Sequence, residues 1–176
     1  MVGVSRDYDH RFSKPAVDSI RVISGIGVEG DAHAGKTVQH LHPMRRDPER
    51  PNLRQVHLIQ AELHDELREL GYDVEPGELG ENVTTRGVDL LSLPRRTLLR
   101  IGPEAVVEIT GLRSPCHQIN DFRPGLLKQV IHTDADGNVI RKTGVMSVVV
   151  SSGVIHPHDP IVVILPDGPQ LPLEVV

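Results

Sequence analysis

Residues 25–37 read GIGVEGDAHAGKT, and the fold turns on how this stretch is understood. Gly25, Gly27 and Gly30 spell G-x-G-x-x-G, while Gly30 to Thr37 spell G-x-x-x-x-G-K-T. The first pattern marks a dinucleotide site only where a strand precedes it and a helix follows to hold the pyrophosphate. Residues 19–23 (SIRVI) can supply the strand, but Gly30 and Gly35 interrupt any helix and Pro43 arrives soon after. The second pattern needs its Lys and Thr to open a long helix. Here Lys36-Thr37 leads into VQHLHPMRRDP instead, and no apolar strand ends in a clean metal-binding Asp, because Pro166 intrudes before Asp167. Both nucleotide matches are coincidental. What remains is a loop that exposes Asp31, His33 and Lys36 together, with backbone amides able to form an anion-binding nest. Glycine turns carrying solvated side chains would produce the same letters.

Outward from that loop, the chain is a series of short apolar runs cut by Gly and Pro. Residues 19–23, 55–59 (QVHLI), 97–101 (TLLRI), 105–110 (AVVEIT), 145–151 (VMSVVVS) and 161–165 (IVVIL) are strand-length and rich in Leu or β-branched residues. Gly102-Pro103 predicts a tight turn between two of them, and residues 134–138 (DADGN) another. Helical spacing is scarcer. Residues 61–70 (AELHDELREL) put Leu63, Leu67 and Leu70 on one face with Gly71 as the stop, and residues 124–132 (PGLLKQVIH) form a shorter candidate with Pro at its start. Residues 40–52 hold Pro43, Pro48 and Pro51 among charges and predict a loop. Many strands and few helices predict a mainly β protein, a closed or nearly closed β-barrel with a few short helices, in one domain over residues 1–176.

Composition narrows the partners. With no Trp, two Phe and two Tyr, the core must be aliphatic. A net charge of -5 and no basic stripe interleaved with aromatics argue against nucleic acid. Charges occupy the first residues where a signal peptide needs an apolar run, and no apolar stretch has the length of a membrane span, so a cytoplasmic location is expected. The single Cys116 excludes an internal disulfide and a tetrathiolate zinc site.

That cysteine lies in EITGLRSPCHQIN (residues 108–120), three residues after Arg113 and next to His117. Cationic neighbours favour the thiolate, which serves as nucleophile, persulfide carrier or soft metal ligand. A lone cysteine is also commonly a small buried hydrophobe. A third stretch, GELGENVTTRGVDLLSL (residues 77–93), sets Glu81 and Asn82 beside glycines, where they either line a polar pocket or bond their own turn. His40 with His42, and His156 with His158, have strand-like spacing for a metal, though Pro157 makes the second pair read as an exposed turn.

Five stretches in order resemble the MOSC domain family, named for the C-terminal domain of molybdenum cofactor sulfurase. They are GVEGDAHAG (27–35), RQVHLIQAE (54–62), GELGENVTTRGVDLLSL (77–93), LRIG with VVEITGLRSPC (99–116) and GVMSVVVSSGVIHPHDPI (144–161). The likeness runs over about residues 19–165. It implies a β-barrel with Cys116 as the family's cysteine, either carrying sulfur from a PLP-dependent cysteine desulfurase or coordinating molybdenum in bound molybdopterin. It further implies that Asp31, His33, Glu81, Asn82 and Arg113 line a pocket around Cys116, with Arg113 or Lys36 anchoring the cofactor phosphate. Three functions follow: a molybdenum-cofactor-binding or sulfur-carrying protein, a molybdenum-dependent reductase of N-hydroxylated bases, or a non-catalytic binding module. In a reductase, His33 or His117 would move protons and a partner protein would supply electrons, since ferredoxin-type cysteines are missing. The 40–52 loop has the reach to touch a second subunit in a homodimer.

Overall fold

The computed structural model describes residues 1–39, 47 and 49–176. Period-two burial builds its centre. In β8 (Ala105–Leu112), Ala105, Val107 and Ile109 are fully buried while Val106 and Glu108 between them are partly exposed. β7 (Leu98–Ile101) pairs with it antiparallel through the Gly102 turn, and Leu99 and Ile101 add to the same core. Each fully buried Val, Leu or Ile among them contributes about 1.5–3 kcal/mol. The longest pairing is between β8 and β11 (Val145–Ser151), whose register shifts twice along its length.

β5 (Val56–Gln60) lies next to β11 and is buried along almost its whole length. Val56 and Leu58 enter the main core. Ile59, on the other face, packs on Leu63 and Leu67 of α1 (Ala61–Glu69) in a second cluster. His57 shares the face of Ile59, and this alternation sets an imidazole in the interior. The expected stop of α1 is a Schellman cap: the Gly71 amide donates to Arg68 O at 3.0 Å and the Tyr72 amide to Leu67 O at 2.9 Å.

Beyond β5 the sheet continues through β6 (Val83–Thr85), parallel to β5, then β1 (Gly3–Ser5) and β2 (Ala16–Val17). Its other end is β13 (Ile161–Ile164), paired only with β7. The eight-stranded order is therefore open, with β13 and β2 at its two edges, and the closed barrel expected from the strand count is corrected. The reason is a change of sheet: after β11 the chain bends at Ser152 into β12 (Gly153–Ile155), which joins β3 (Ile20–Ile23) and β4 (Gly27–Val28) in a separate three-stranded sheet. Ser152 Oγ accepts from the Ser24 amide at 2.9 Å and Val149 O accepts from the Gly25 amide at 2.9 Å, pinning this corner. Strands that could have closed the large sheet are used in the small one.

The 134–138 turn joins β9 (Ile131–Thr133) and β10 (Val139–Arg141) as expected. The helix expected over 124–132 shrinks to α3 (Leu127–Val130), because Ile131 already begins β9. A helix not anticipated, α2 (Gln118–Phe122), follows Cys116 directly. Among the described residues no helix is long and apolar enough to cross a membrane.

Candidate functional site

The loop read first in the sequence passes through β4 of the three-stranded sheet and then turns at residues 29–33. Gly27 has φ +119° and a Cβ there would lie 2.9 Å from Gln55 O, so its glycine serves close backbone packing. Residues 31–39 form turns and a bridge in place of a helix opening on Lys36 and Thr37. The loop carries Asp31 inward, where its carboxylate meets five donors, the longest being the Asp7 amide to Oδ2 at 3.5 Å. Oδ2 accepts from Lys14 Nζ at 2.6 Å and Asn82 Nδ2 at 2.8 Å; Oδ1 accepts from the His33 amide at 2.9 Å and faces His33 Nδ1 at 3.1 Å. Burial pushes the Asp31 carboxyl up, but the bonds from His33 and Lys14 outweigh it and hold the group well below the usual carboxylate range. Burial pulls the Lys14 ammonium down from its ordinary value, and Asp31 holds against it.

Asn82 ties three segments together. Its Nδ2 also donates to Ser5 O at 3.1 Å in β1, and its Oδ1 accepts from the His57 amide at 3.2 Å in β5. Both amide hydrogens are thus spent on the frame. His57 Nε2 lies 2.8 Å from Thr143 O. Burial, with Arg113 and Lys14 nearby, drives His57 well below its ordinary value, so the ring is neutral and Nε2 carries the donated proton.

At the end of β8 the chain leaves the sheet with Arg113, whose amide donates to Gly144 O at 3.1 Å. Its guanidinium is buried, sits 5.9 Å from the Phe12 ring, and leaves Nη1 with no hydrogen-bond partner. Burial pulls Arg113 below its ordinary value, Cys116 and Glu81 act the other way, and Arg54 adds to the strain. Cys116 follows, half-buried, with Sγ 3.4 Å from Gln118 Oε1.

These segments enclose a cavity of about 690 Å³. Cys116, His33, His117, Asn82 and Arg113, all singled out in the sequence, line it together. Asp31 stands directly behind the wall, bonded to three lining residues. Glu81 and Lys36 do not line it. Glu81 is fully buried, accepting from the Gly77 amide at 2.7 Å and Thr84 Oγ1 at 3.0 Å, with His64 Nε2 at 3.6 Å. Lys36 is exposed on the far part of its loop. His117 is 84% exposed and lies 3.7 Å from Asp121. Four lining residues were not singled out as site candidates: His10 and Lys14, which lie outside every quoted stretch, and Arg54 and His57, which lie inside residues 54–62. His57 offers a signal in retrospect, a polar residue in the middle of an apolar strand.

The wall has one sign of charge. Arg11, Lys14, Arg54 and Arg113 line the cavity and no carboxylate does, on a chain of net charge -5. Arg11 is paired with Asp7 and Asp9, and Lys14 with Asp31. Arg54 and Arg113 have no carboxylate partner among the described residues. His156 and His158 lie apart, exposed in the turn before β13, and His40 and His42 fall outside the described residues. Among the described residues no group of three His, Cys, Asp or Glu is placed to hold a metal.

The fold and site define a mainly β protein with a cation-walled, imidazole-rich cavity beside one cysteine. The sequence pattern of the MOSC domain matches residues 30–162, and the chain belongs to the MOSC domain family. No curated protein matches it. The YuaD protein from Bacillus subtilis has a similar crystal structure, with TM-score 0.72 and 23% identity, covering 92% of this chain and 92% of that one. YiiM from Geobacillus stearothermophilus (TM-score 0.61, 20% identity) covers 97% of this chain and 75% of its own. YiiM from Escherichia coli (TM-score 0.58, 20% identity) covers 96% and 71%. At these identities the likeness establishes a shared fold.

Proposed function

We propose that this chain binds molybdenum cofactor in the cavity beside Cys116. The observation that carries the reading is the wall itself: two arginines without carboxylate partners, one with a buried, unpartnered Nη1, in a cavity lined by no carboxylate. A buried donor without an acceptor is costly, and a phosphate oxygen relieves it. Two guanidinium forks suit the phosphate dianion of molybdopterin. The volume, about 690 Å³, lies within the range of cofactor sites. Arg54 and Arg113 would hold the phosphate, and Cys116 Sγ would face the metal as a thiolate. Bound molybdenum would supply two-electron oxygen-atom chemistry. His33, oriented by Asp31, is the group placed to give or take a proton inside the cavity, with His117 at its exposed rim.

The same half-buried sulfur also suits sulfur carriage. A PLP-dependent cysteine desulfurase would present a persulfide, its outer sulfur would pass to the Cys116 thiolate, and the donor's own thiolate would be released. A reductase of N-hydroxylated compounds is the second reading, favoured by the imidazoles in the wall, and it needs a partner that delivers two electrons.

The test is molybdenum and pterin content after expression in a host that makes molybdopterin, comparing wild type with Cys116→Ala. The proposal expects pterin in both and molybdenum lost from the variant. Pterin-free wild type would reject cofactor binding, and a persulfide on Cys116 seen by mass spectrometry would then support the carrier.

A further inference from the structure

Lys14 belongs to none of the sequence motifs, yet it is the cavity-lining cation with the most deeply buried counter-charge. Its side chain is 4% exposed and that of Asp31 2%. The pair is lopsided. The Asp31 carboxylate is filled by five donors, while the Lys14 ammonium has one acceptor, Asp31 Oδ2 at 2.6 Å. An ammonium carries three N–H donors. Two of them have no protein acceptor among the described residues, and Nζ is part of a side chain that lines the cavity. A purely structural ion pair would be closed on both partners; this one is closed only on the acid.

The polar neighbours are already engaged elsewhere. Asn82 spends both of its own amide hydrogens on Asp31 and Ser5 O, and its Oδ1 on the His57 amide. His57 gives its Nε2 proton to Thr143 O. The backbone under the lysine is fixed as well. The Lys14 amide donates to Gly77 O at 2.9 Å, and Ser13 Oγ donates to Glu78 O at 2.8 Å. The ammonium is held ready on a rigid support, as ligand-contacting groups must be.

We infer that Lys14 is a ligand-binding residue of this cavity, presenting its two remaining N–H groups to an oxyanion or carbonyl oxygen of the group that fills it. The inference rests on the cavity being the ligand site proposed above. It assigns Asp31 a positioning role: the acid keeps the buried lysine charged and aims it, and does not itself touch the ligand. Because Asp31 neutralises one charge, the Lys14 contact selects an oxygen acceptor by hydrogen-bond geometry. Arg54 and Arg113 supply the net attraction for an anion.

Inorganic sulfate is the probe. The purified chain is titrated with sodium sulfate while the ¹⁵N signals of Lys14 Nζ and Arg113 Nε are followed in one spectrum. The expected result is a saturable shift at Lys14 with the same midpoint as that at Arg113, both weakened in an Arg54→Gln variant. A Lys14 signal that stays still while Arg113 saturates overturns the inference. Cofactor content provides the second readout. Lys14→Gln/Asp31→Asn keeps the pair neutral, and its pterin content should fall about tenfold or more, the loss expected for charge-assisted bonds. A folded double variant with full pterin content also overturns it. Pterin-free wild type would reject the cofactor reading alone, and the titration, which needs no variant for its main result, would still decide Lys14.

Discussion

Asp31→Asn is the sharpest perturbation of the frame behind the cavity. Both carboxylate oxygens face only donors, two at Oδ1 and three at Oδ2, so whichever way the new amide turns, its NH₂ faces donors it cannot accept from. The Lys14 ammonium meanwhile keeps its burial and loses its counter-charge. Breaking a buried ion pair from one side costs about 3–5 kcal/mol, against a total of about 5–15 kcal/mol for an ordinary domain. With a urea m-value of about 2 kcal/mol/M, the midpoint should fall by about 1.5–2.5 M. Lys14→Met should cost a similar amount, and the double variant much less than the sum, because the second substitution removes the charge the first left stranded. Urea unfolding followed by circular dichroism measures all three. A single-variant shift under about 0.5 M, or strict additivity in the double, would refute the reasoning. The pH dependence has a definite sign. Asp31 is depressed in the folded chain, so its contribution is complete above the ordinary carboxylate value near pH 4 and is lost as pH falls through the depressed native value. Asp31→Asn should therefore flatten the acid limb of the stability curve below about pH 4.

Arg113→Met should leave stability within about 1 kcal/mol of wild type or raise it, since a buried guanidinium with an unpartnered nitrogen is replaced by a side chain that needs no partner; thermal unfolding beside pterin content would show binding lost without stability lost. Gly144→Ala should destabilise by about 3 kcal/mol or more, because Gly144 has φ +79° and a Cβ would lie 2.0 Å from Leu58 O. Because Gly144 O holds the Arg113 amide, that variant should also disturb the Arg113 side-chain signal, and an unchanged melting curve would contradict the account. Ile109→Ala, in the centre of β8, should cost about 2–5 kcal/mol by leaving a cavity in the main core, with pterin stoichiometry unchanged in the folded fraction.

How much of this was legible in the sequence follows from how local each feature is. The runs that became β5, β8 and β11 carry their pattern within themselves, as does α1 with its glycine stop. β1, β6 and β12 are three residues each, too short for a period to register, and β12 decides that the large sheet stays open. Strand count alone cannot say which sheet a strand joins. In the site, Arg113 and Cys116 were legible because one strand end delivers both. Lys14 comes from one segment and Arg54 and His57 from another, and only folding brings them together. Glu81 and Asn82 show the limit in two adjacent letters: Asn82 faces the cavity while Glu81 turns to Gly77 and Thr84 on the other side. Lys36 sits only five residues from Asp31 in the same loop, yet it stays in solvent where Asp31 turns inward.

The central claim is that the unpaired arginines of the cavity hold an anionic cofactor, and pterin content per chain in wild type against Arg54→Gln/Arg113→Gln tests it most directly. Both proteins would be expressed in a host that makes molybdopterin, denatured, and read by pterin fluorescence. The account predicts near-stoichiometric pterin in wild type and about a tenfold or greater loss in the variant. Equal pterin in the two proteins would contradict it.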